Sequence, residues 1–427
     1  MRIRLIGSEL AAATAAAALA SVGHNVTWQP HRDAPWSFLR HADWLRREPQ
    51  LLDQLERALA EGDLTLGEPA AAEPVEVLWL ALAPDQRAEA ADAVAAQAAC
   101  QEAPLVVVNN ATFPVGETER LAAHLGPQQW AVCLPDRLEE GRAWETFTRP
   151  SRWLLGSESA EATARVRELL RAFNRRRDVF QCMPLRAAEL TKLAINGMLA
   201  TRISYMNEVA GLADTLGVDV ELVRQGMGAD PRIGYDYLYP GCGFGGPNFS
   251  RDLMSLADVQ SAQGRASALL EQVLEINEQK KETLFRKLWS HFQGELAGRR
   301  VAIWGAAFKP GTARIDHAPV LPLLRALWAQ GVEVRLHDPA ALPALAAEVG
   351  EQPLLTLCPD DPYAACEGAD ALLLVTEWKC YWNPDWPRLR RLLKEGLLLD
   401  GRNIYDPGYV ANQGLSYRGI GRRADPS

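Results

Sequence analysis

The stretch Arg2-Ile-Arg-Leu-Ile-Gly-Ser-Glu-Leu-Ala-Ala-Ala-Thr14, carried on to Val22-Gly-His-Asn-Val-Thr-Trp28, decides the fold. Residues Arg2–Ile6 alternate basic and apolar side chains, the period of a strand. Gly7–Ser8 then reads as a turn, and the alanine-rich run from Leu10 to Val22 as a helix. Gly23 is a suitable left-handed cap for it, and Asn25–Trp28 reads as a second strand. The same residues imitate a secretory leader, with Arg2 and Arg4 ahead of an apolar run that ends in Ala-Leu-Ala at Ala20. Gly7, Ser8 and Glu9 interrupt that run, which favours strand, turn and helix.

Working outward, further strands are expected at Val75–Leu82, Leu105–Asn109, Trp130–Leu134 and Trp153–Gly156. Helical stretches at Gln50–Ala60, Asp85–Ala99 and Ala160–Phe173 lie between them. Alternation of this kind argues for a parallel sheet covered by helices on both faces. From about Pro184 the grammar changes. Leu185–Leu216 and Ser261–Phe292 read as two long helices with almost no strand signal between them. The second carries apolar residues broadly at helical spacing, and a helix that long between two α/β units suits either a dimer surface or a brace within one chain. Strands return at Arg300–Trp304, Glu333–His337, Ala371–Val375 and Leu397–Leu399, with a helix at Leu321–Gln330. The tail, Arg422–Ser427, reads as loose.

At 427 residues the chain is long enough for two or three domains, each able to build its own core. A formal net charge of −9 gives a nucleic-acid surface little electrostatic support. No run of apolar residues is long enough to span a membrane. The seven cysteines lack both C-x-x-C pairs and zinc spacing, so reduced thiols, a cytoplasmic location and no metal are expected.

Three segments carry chemistry. In Ala188-Glu-Leu-Thr-Lys-Leu-Ala-Ile-Asn196, Lys192 and Asn196 are four apart and project from one helical face. Tyr237-Leu-Tyr-Pro-Gly-Cys-Gly-Phe-Gly-Gly246 follows Asp230-Pro-Arg-Ile-Gly234; its glycines let a backbone fold closely over a ligand. Val301-Ala-Ile-Trp-Gly-Ala-Ala-Phe-Lys-Pro-Gly-Thr312 is a strand and a glycine turn bearing a lysine, joined by Thr376-Glu-Trp378 and Asp400-Gly-Arg-Asn403.

Together these segments resemble the UDP-glucose/GDP-mannose dehydrogenase family, whose members oxidise a nucleotide sugar at C6 to the uronic acid using NAD. The resemblance runs in order from about residue 2 to residue 422. It implies an α/β fold with two Rossmann-like parallel-sheet domains joined by a central helical region with a long connecting helix. The implied domains are 1–183 (NAD-binding type), 184–293 (helical, dimerising) and 294–427 (gripping UDP). Carried over residue by residue, it gives catalytic roles to Lys192, Asn196, Asp252 and Asp136, the last a shortened form of the family's glutamate. Substrate contacts fall on Leu138, Glu140, Tyr237, Leu238, Gly243, Phe244, Gly245, Phe308, Lys309 and Arg402, and on Arg232, which in the family reaches a neighbouring subunit. Cofactor contacts fall on Gly7, Ala12 and Thr112.

The chain departs from the family at two sites. Where G-x-G-x-x-G is needed for the pyrophosphate of NAD it reads Gly7-Ser-Glu-Leu-Ala-Ala12, so Glu9 stands at the second glycine. Pro30 replaces the ribose-binding acid at the end of the second strand, and Asp33 is the nearest acid beyond it. Where the family has Gly-Gly-Ser-Cys-Phe-Pro-Lys-Asp, this chain has Gly245-Gly-Pro-Asn-Phe-Ser-Arg-Asp252. Asn248 takes the place of the thiol that carries the aldehyde as a thiohemiacetal between two oxidations. Cys242, six residues earlier, reads as a small apolar filler. An arginine expected near NAD is also missing from Ala313-Arg-Ile-Asp-His317. The expectation is a catalytically degenerate member that binds a nucleotide sugar, UDP-hexose being favoured. It would serve as a binding or regulatory partner in polysaccharide biosynthesis, as a homodimer or beside an active relative. The alternatives are an NAD-dependent dehydrogenase that stops at the aldehyde, or non-redox chemistry on the same sugar.

Overall fold

The structure, a computed structural model, describes residues 1–30, 39–67, 73–175, 177–265 and 267–424. Asp33 lies outside them. The chain divides into two compact units, Met1–Ala194 and Ile195–Ser427.

The first unit is built on strands β1 (Arg2–Ile6), β2 (Asn25–Gln29), β3 (Leu64–Leu66), β4 (Val77–Leu80), β5 (Leu105–Asn109), β6 (Gln129–Cys133), β7 (Trp153–Gly156) and β8 (Phe180–Met183). Among the described residues they form one sheet in the order β3-β2-β1-β4-β5-β6-β7-β8, parallel except where β6 meets β7. The order reverses between β1 and β4, the point at which open α/β sheets leave a crevice beyond their strand ends. The helix Leu10–Ala20 is buried at every position from Ala12 onward. An alanine helix has no bulky face, so it seats closely against the sheet, and the leader reading gives way to a core element. Gly23, at φ +88°, ends that segment as expected.

The ladder around Val77–Leu80 is shorter than the expected Val75–Leu82. Past it, the N–H of Ala83 donates to Oε1 of Gln86 at 2.9 Å instead of to a strand. The stretch Ala160–Phe173 is helical to Leu169 and then tightens into a 3-10 turn at Arg171–Asn174.

The second unit holds β9 (Arg300–Trp304), β10 (Glu333–His337), β11 (Leu355–Leu357), β12 (Ala371–Leu374), β13 (Leu397–Asp400), β14 (Ser416–Gly419) and β15 (Arg423–Ala424). Their order is β11-β10-β9-β12-β13-β14-β15, with only the last pair antiparallel. The first six strands of each unit therefore follow the same arrangement without any sequence repeat. At the end of β10, Asp338 accepts from the backbone N–H groups of Ala306, Ala307, Ala340 and Ala341 at 2.7–3.0 Å, and from Trp378 Nε1 at 3.0 Å.

The helix Leu185–Leu216 runs unbroken over 32 residues, as expected. Met206, Ala210 and Ala213 on one side join the core of the second unit. Met198, Tyr205 and Leu212, seven apart, and then Leu216 stand exposed. The second expected long helix is corrected. Pro247–Ala262, Ala268–Lys281 and Thr283–His291 are separate helices. Gly264 adopts φ +71°, a left-handed conformation that a continuous helix cannot contain. The loose tail is corrected as well: Arg422 pairs with Asp219 through two contacts of 2.8 and 3.2 Å, and Arg423–Ala424 extends the sheet. Residues 425–427 lie outside the described chain. All seven cysteines are free.

Candidate functional site

In the first unit, the turn after β1 begins with Gly7 at φ +150°, where a Cβ would lie 2.1 Å from the carbonyl oxygen of Ala81. Ala12 is buried five residues on, so both positions suit the close helix–sheet packing that a dinucleotide site needs. Glu9 is the N-cap residue of the Leu10–Ala20 helix, exposed and making no capping bond with its side chain. Glu9 brings a carboxylate to the N-terminal end of this helix and Pro30 follows the second strand without an acceptor side chain, residue types that do not suit the pyrophosphate and ribose of a dinucleotide. Thr112 is part-buried in the loop after β5.

Asp136 shapes the loop that follows it. Its Oδ1 accepts from the N–H of Leu138 at 2.8 Å, an Asx turn that shapes the Leu138–Gly141 loop. Glu48, buried, secures the far side of that loop by accepting from the N–H of Gly141 and from that of Ala143 at 3.1 Å. Leu138 and Glu140 are part-buried beside these bonds. Glu48 was not legible as a site-shaping residue, since nothing near it in sequence marks its partner.

The second unit brings Asn196 and Asp252 together: Nδ2 of Asn196 donates to Oδ2 of Asp252 at 2.5 Å. Lys192 lies one turn earlier in the helix that carries Asn196, part-buried. Asp252 is only 1% exposed, and its Oδ1 accepts from Nε and Nη2 of Arg251 at 3.0 and 2.8 Å. The same Nη2 donates to Oδ1 of Asn248 at 3.1 Å. A chain of polar contacts thus runs Asn248–Arg251–Asp252–Asn196. Asp252→Ala is expected to cost about 2–3 kcal/mol in denaturant unfolding. It strips the partner from one cation and one buried amide, while Arg251, still partly in water, softens the loss. Asp252→Asn, which keeps an acceptor, should recover about half of that.

The glycine loop is held from several sides. The N–H of Gly241 donates to Oδ1 of Asn207 at 2.7 Å, and that of Phe244 to Oδ1 of Asn277 at 2.8 Å. Neither asparagine was singled out from sequence, though each is a fully buried polar residue inside an apolar helical pattern, the one signal available. Gly243 takes φ +95°, with a Cβ there falling 2.9 Å from Lys281 Cγ. Gly245 and Gly246 pack against the Phe308 side chain so tightly that a Cβ on either would lie within 2.9 Å of it. Leu238 is buried, whereas Tyr237 is exposed at φ +59° with its ring edge-on to Phe249. Cys242 is fully buried, and burial pushes its thiol up, so it fills space as expected.

Arg402 reaches the loop by donating Nη1 to the carbonyl of Gly243 at 3.2 Å. Its Nε bonds the carbonyl of Val375 at 2.7 Å and pairs with Glu377 at 3.2 Å. Its Nη2 is enclosed with no hydrogen-bond partner among the described residues. An enclosed guanidinium N–H awaiting an acceptor fits an anionic nucleotide. Lys309 lies over the Phe308 ring at 5.7 Å. Arg232 is not part of this assembly: its side chain is 87% exposed and forms a two-pronged pair with Asp230.

Models of the UDP-glucose/GDP-mannose dehydrogenase family match residues 1–174 (NAD binding domain), 186–279 (central domain) and 302–407 (UDP binding domain). A UDP-glucose 6-dehydrogenase of Pseudomonas aeruginosa is 41% identical over 99% of this chain and 98% of its own length. One from Rhizobium meliloti is 31% identical over 99% of this chain and 100% of its own. Among solved structures, a UDP-glucose dehydrogenase from Pyrobaculum islandicum superposes with a TM-score of 0.85 at 28% identity, covering 98% of this chain and 97% of that one.

Proposed function

The chain belongs to the UDP-glucose/GDP-mannose dehydrogenase family, and we propose that it keeps the nucleotide-sugar pocket but has lost the two-step oxidation at C6. The observation that carries this reading is Asn248. Its amide sits at the position of the family's nucleophile and accepts from Arg251. An amide forms no thiohemiacetal, and the nearest thiol in sequence, Cys242, is sealed in the core. In this reading Arg402 and Lys309 hold the diphosphate, the loop 237–246 covers the sugar, and Asn196 with Asp252 orients the oxygen at C6. Lys192, Asp136, Leu138, Glu140 and Arg232 keep the substrate-side roles that the family resemblance gives them. Residues 1–183, 184–293 and 294–427 act as the nucleotide-type, dimerising and UDP-gripping domains.

NAD, which the family uses as oxidant, is bound weakly in this proposal because of Glu9 and Pro30, and no redox step is assigned here. UDP-hexose is the favoured sugar nucleotide, since the relatives are named for UDP-glucose. The exposed stripe of Met198, Tyr205, Leu212 and Leu216 supports a homodimer or a pairing with an active relative. Among the described residues no helix is long and apolar enough to cross a membrane. The role we assign is that of a cytoplasmic binding or regulatory partner in polysaccharide biosynthesis.

Calorimetric titration tests the reading. UDP-glucose should bind, whereas NAD and NADH should give no heat at millimolar concentration, and the mixture should develop no NADH absorbance. Micromolar NAD affinity with an aldehyde product would establish the alternative, a dehydrogenase that stops after one oxidation.

A further inference from the structure

Arg251 and Asn248 offer donors that the network just described does not use. Arg251 spends Nε and Nη2 on Asp252 and Asn248. That contact turns the Asn248 amide so that its oxygen faces the guanidinium and its Nδ2 points elsewhere. Neither Nη1 of Arg251 nor Nδ2 of Asn248 is taken up by any described residue. Both remain reachable, since Asn248 is exposed and Arg251 keeps 33% of its side chain in solvent. Asp252 is the opposite case. It is buried and both its oxygens are engaged, one by Arg251 and the other by Asn196. The network therefore presents N–H groups outward and keeps its acceptors inward.

Two outward donors, one of them on a cation, suit an acceptor with two oxygens and a full negative charge. A primary hydroxyl supplies a single oxygen and asks for an acceptor in return; a planar carboxylate asks for none. We propose that this pocket takes a nucleoside-diphosphate uronate in preference to the hexose, with the C6 carboxylate seated on Arg251 and Asn248. The proposal rests on the nucleotide-sugar reading, which sets residues 248–252 against C6. The arginine is already half neutralised by Asp252, so the preference is modest, about tenfold, equivalent to about 1.4 kcal/mol. It places the protein downstream of a C6 oxidation carried out by another enzyme, as a receiver of that product.

The test titrates the full chain with UDP, UDP-glucose and UDP-glucuronate at low and moderate salt. UDP-glucuronate is expected to bind about tenfold more tightly than UDP-glucose, and the gap should narrow as salt rises. Asn248→Ala, which leaves the Arg251–Asp252 pair intact, should remove part of the preference. The double variant Asn248→Ala/Arg251→Gln should abolish it, with UDP affinity held within about twofold and melting curves reporting the fold. Equal affinities for the two sugars in the unaltered chain overturn the uronate assignment and leave nucleotide-sugar binding standing. A preference that survives the double variant overturns the assignment to these residues. No binding of UDP or of either sugar nucleotide overturns both readings together.

Discussion

Replacing Glu9 by glycine is expected to raise the affinity for NAD by at least tenfold, with about a thousandfold as the upper bound. Glu9 caps the Leu10–Ala20 helix in an extended conformation, φ −106° and ψ −169°, and its side chain accepts no hydrogen bond from the helix end. A carboxylate at that place favours the helix dipole and occupies the ground on which a pyrophosphate would be bound. Two like charges at ~4 Å and an effective dielectric of ~20 repel by about 4 kcal/mol, which is roughly a thousandfold in affinity. Glu9 is exposed, so rotation and screening reduce the repulsion, and the lower bound follows from that. The variant gives up about 0.3–1 kcal/mol of helix-end stabilisation, visible as a small drop in melting temperature. Calorimetry with NAD reads the result directly. An unchanged titration would acquit Glu9 and leave Pro30, at the ribose position, as the residue to exchange next.

The contrast between the two sheets explains what the sequence made legible and what it did not. Both place a turn after the first strand and a residue of interest after the second, and Gly7, Gly23 and Gly305 punctuate them clearly enough to be read. In the first unit Pro30 could be recognised as a lost acceptor without any structure. In the second, Asp338 stands at the corresponding place and looks like a ribose acid. Its carboxylate is in fact consumed by four backbone N–H groups and Trp378. No local pattern announces that. The strands Leu64–Leu66, Leu355–Leu357 and Arg423–Ala424 went unread for a different reason. Each has two or three residues at a sheet edge, too few to show a period. Helical periodicity holds around Ser261–Phe292 while continuity does not: the left-handed Gly264 that parts the first two helices, and the break at Glu282 between the second and third, are both invisible to a periodic count. The substitutions Asn248 and Arg251 were plain in sequence, while their bonding to each other and to Asp252 emerged only in the folded turn.

Gly7→Ala is expected to be the most damaging glycine-to-alanine substitution in the first unit, costing about 4 kcal/mol or more and lowering the melting temperature by roughly 10 °C. The new Cβ would lie 2.1 Å from the carbonyl oxygen of Ala81 and 2.9 Å from the Cβ of Ala12, and φ +150° already disfavours a side chain. No neighbour has room to give. The N–H of Ala81 is bonded to the carbonyl of Ile6 at 2.9 Å, and Gly7 is pinned through its own N–H to Gln29 and through its carbonyl to Trp28 Nε1. Gly23→Ala is the matched control: φ there is +88°, but no atom lies within 4 Å of the added carbon. It should cost only about 1–2 kcal/mol of backbone strain. The pair decides how the surviving glycine is to be interpreted. If Gly7→Ala collapses stability as expected, glycine is demanded at this turn by the packing of β1 against β4, with or without a dinucleotide. Its survival beside Glu9 then says nothing for NAD. If the substitution is tolerated, the packing demand is refuted, and the retained glycine becomes evidence that a ligand's phosphate still approaches that backbone.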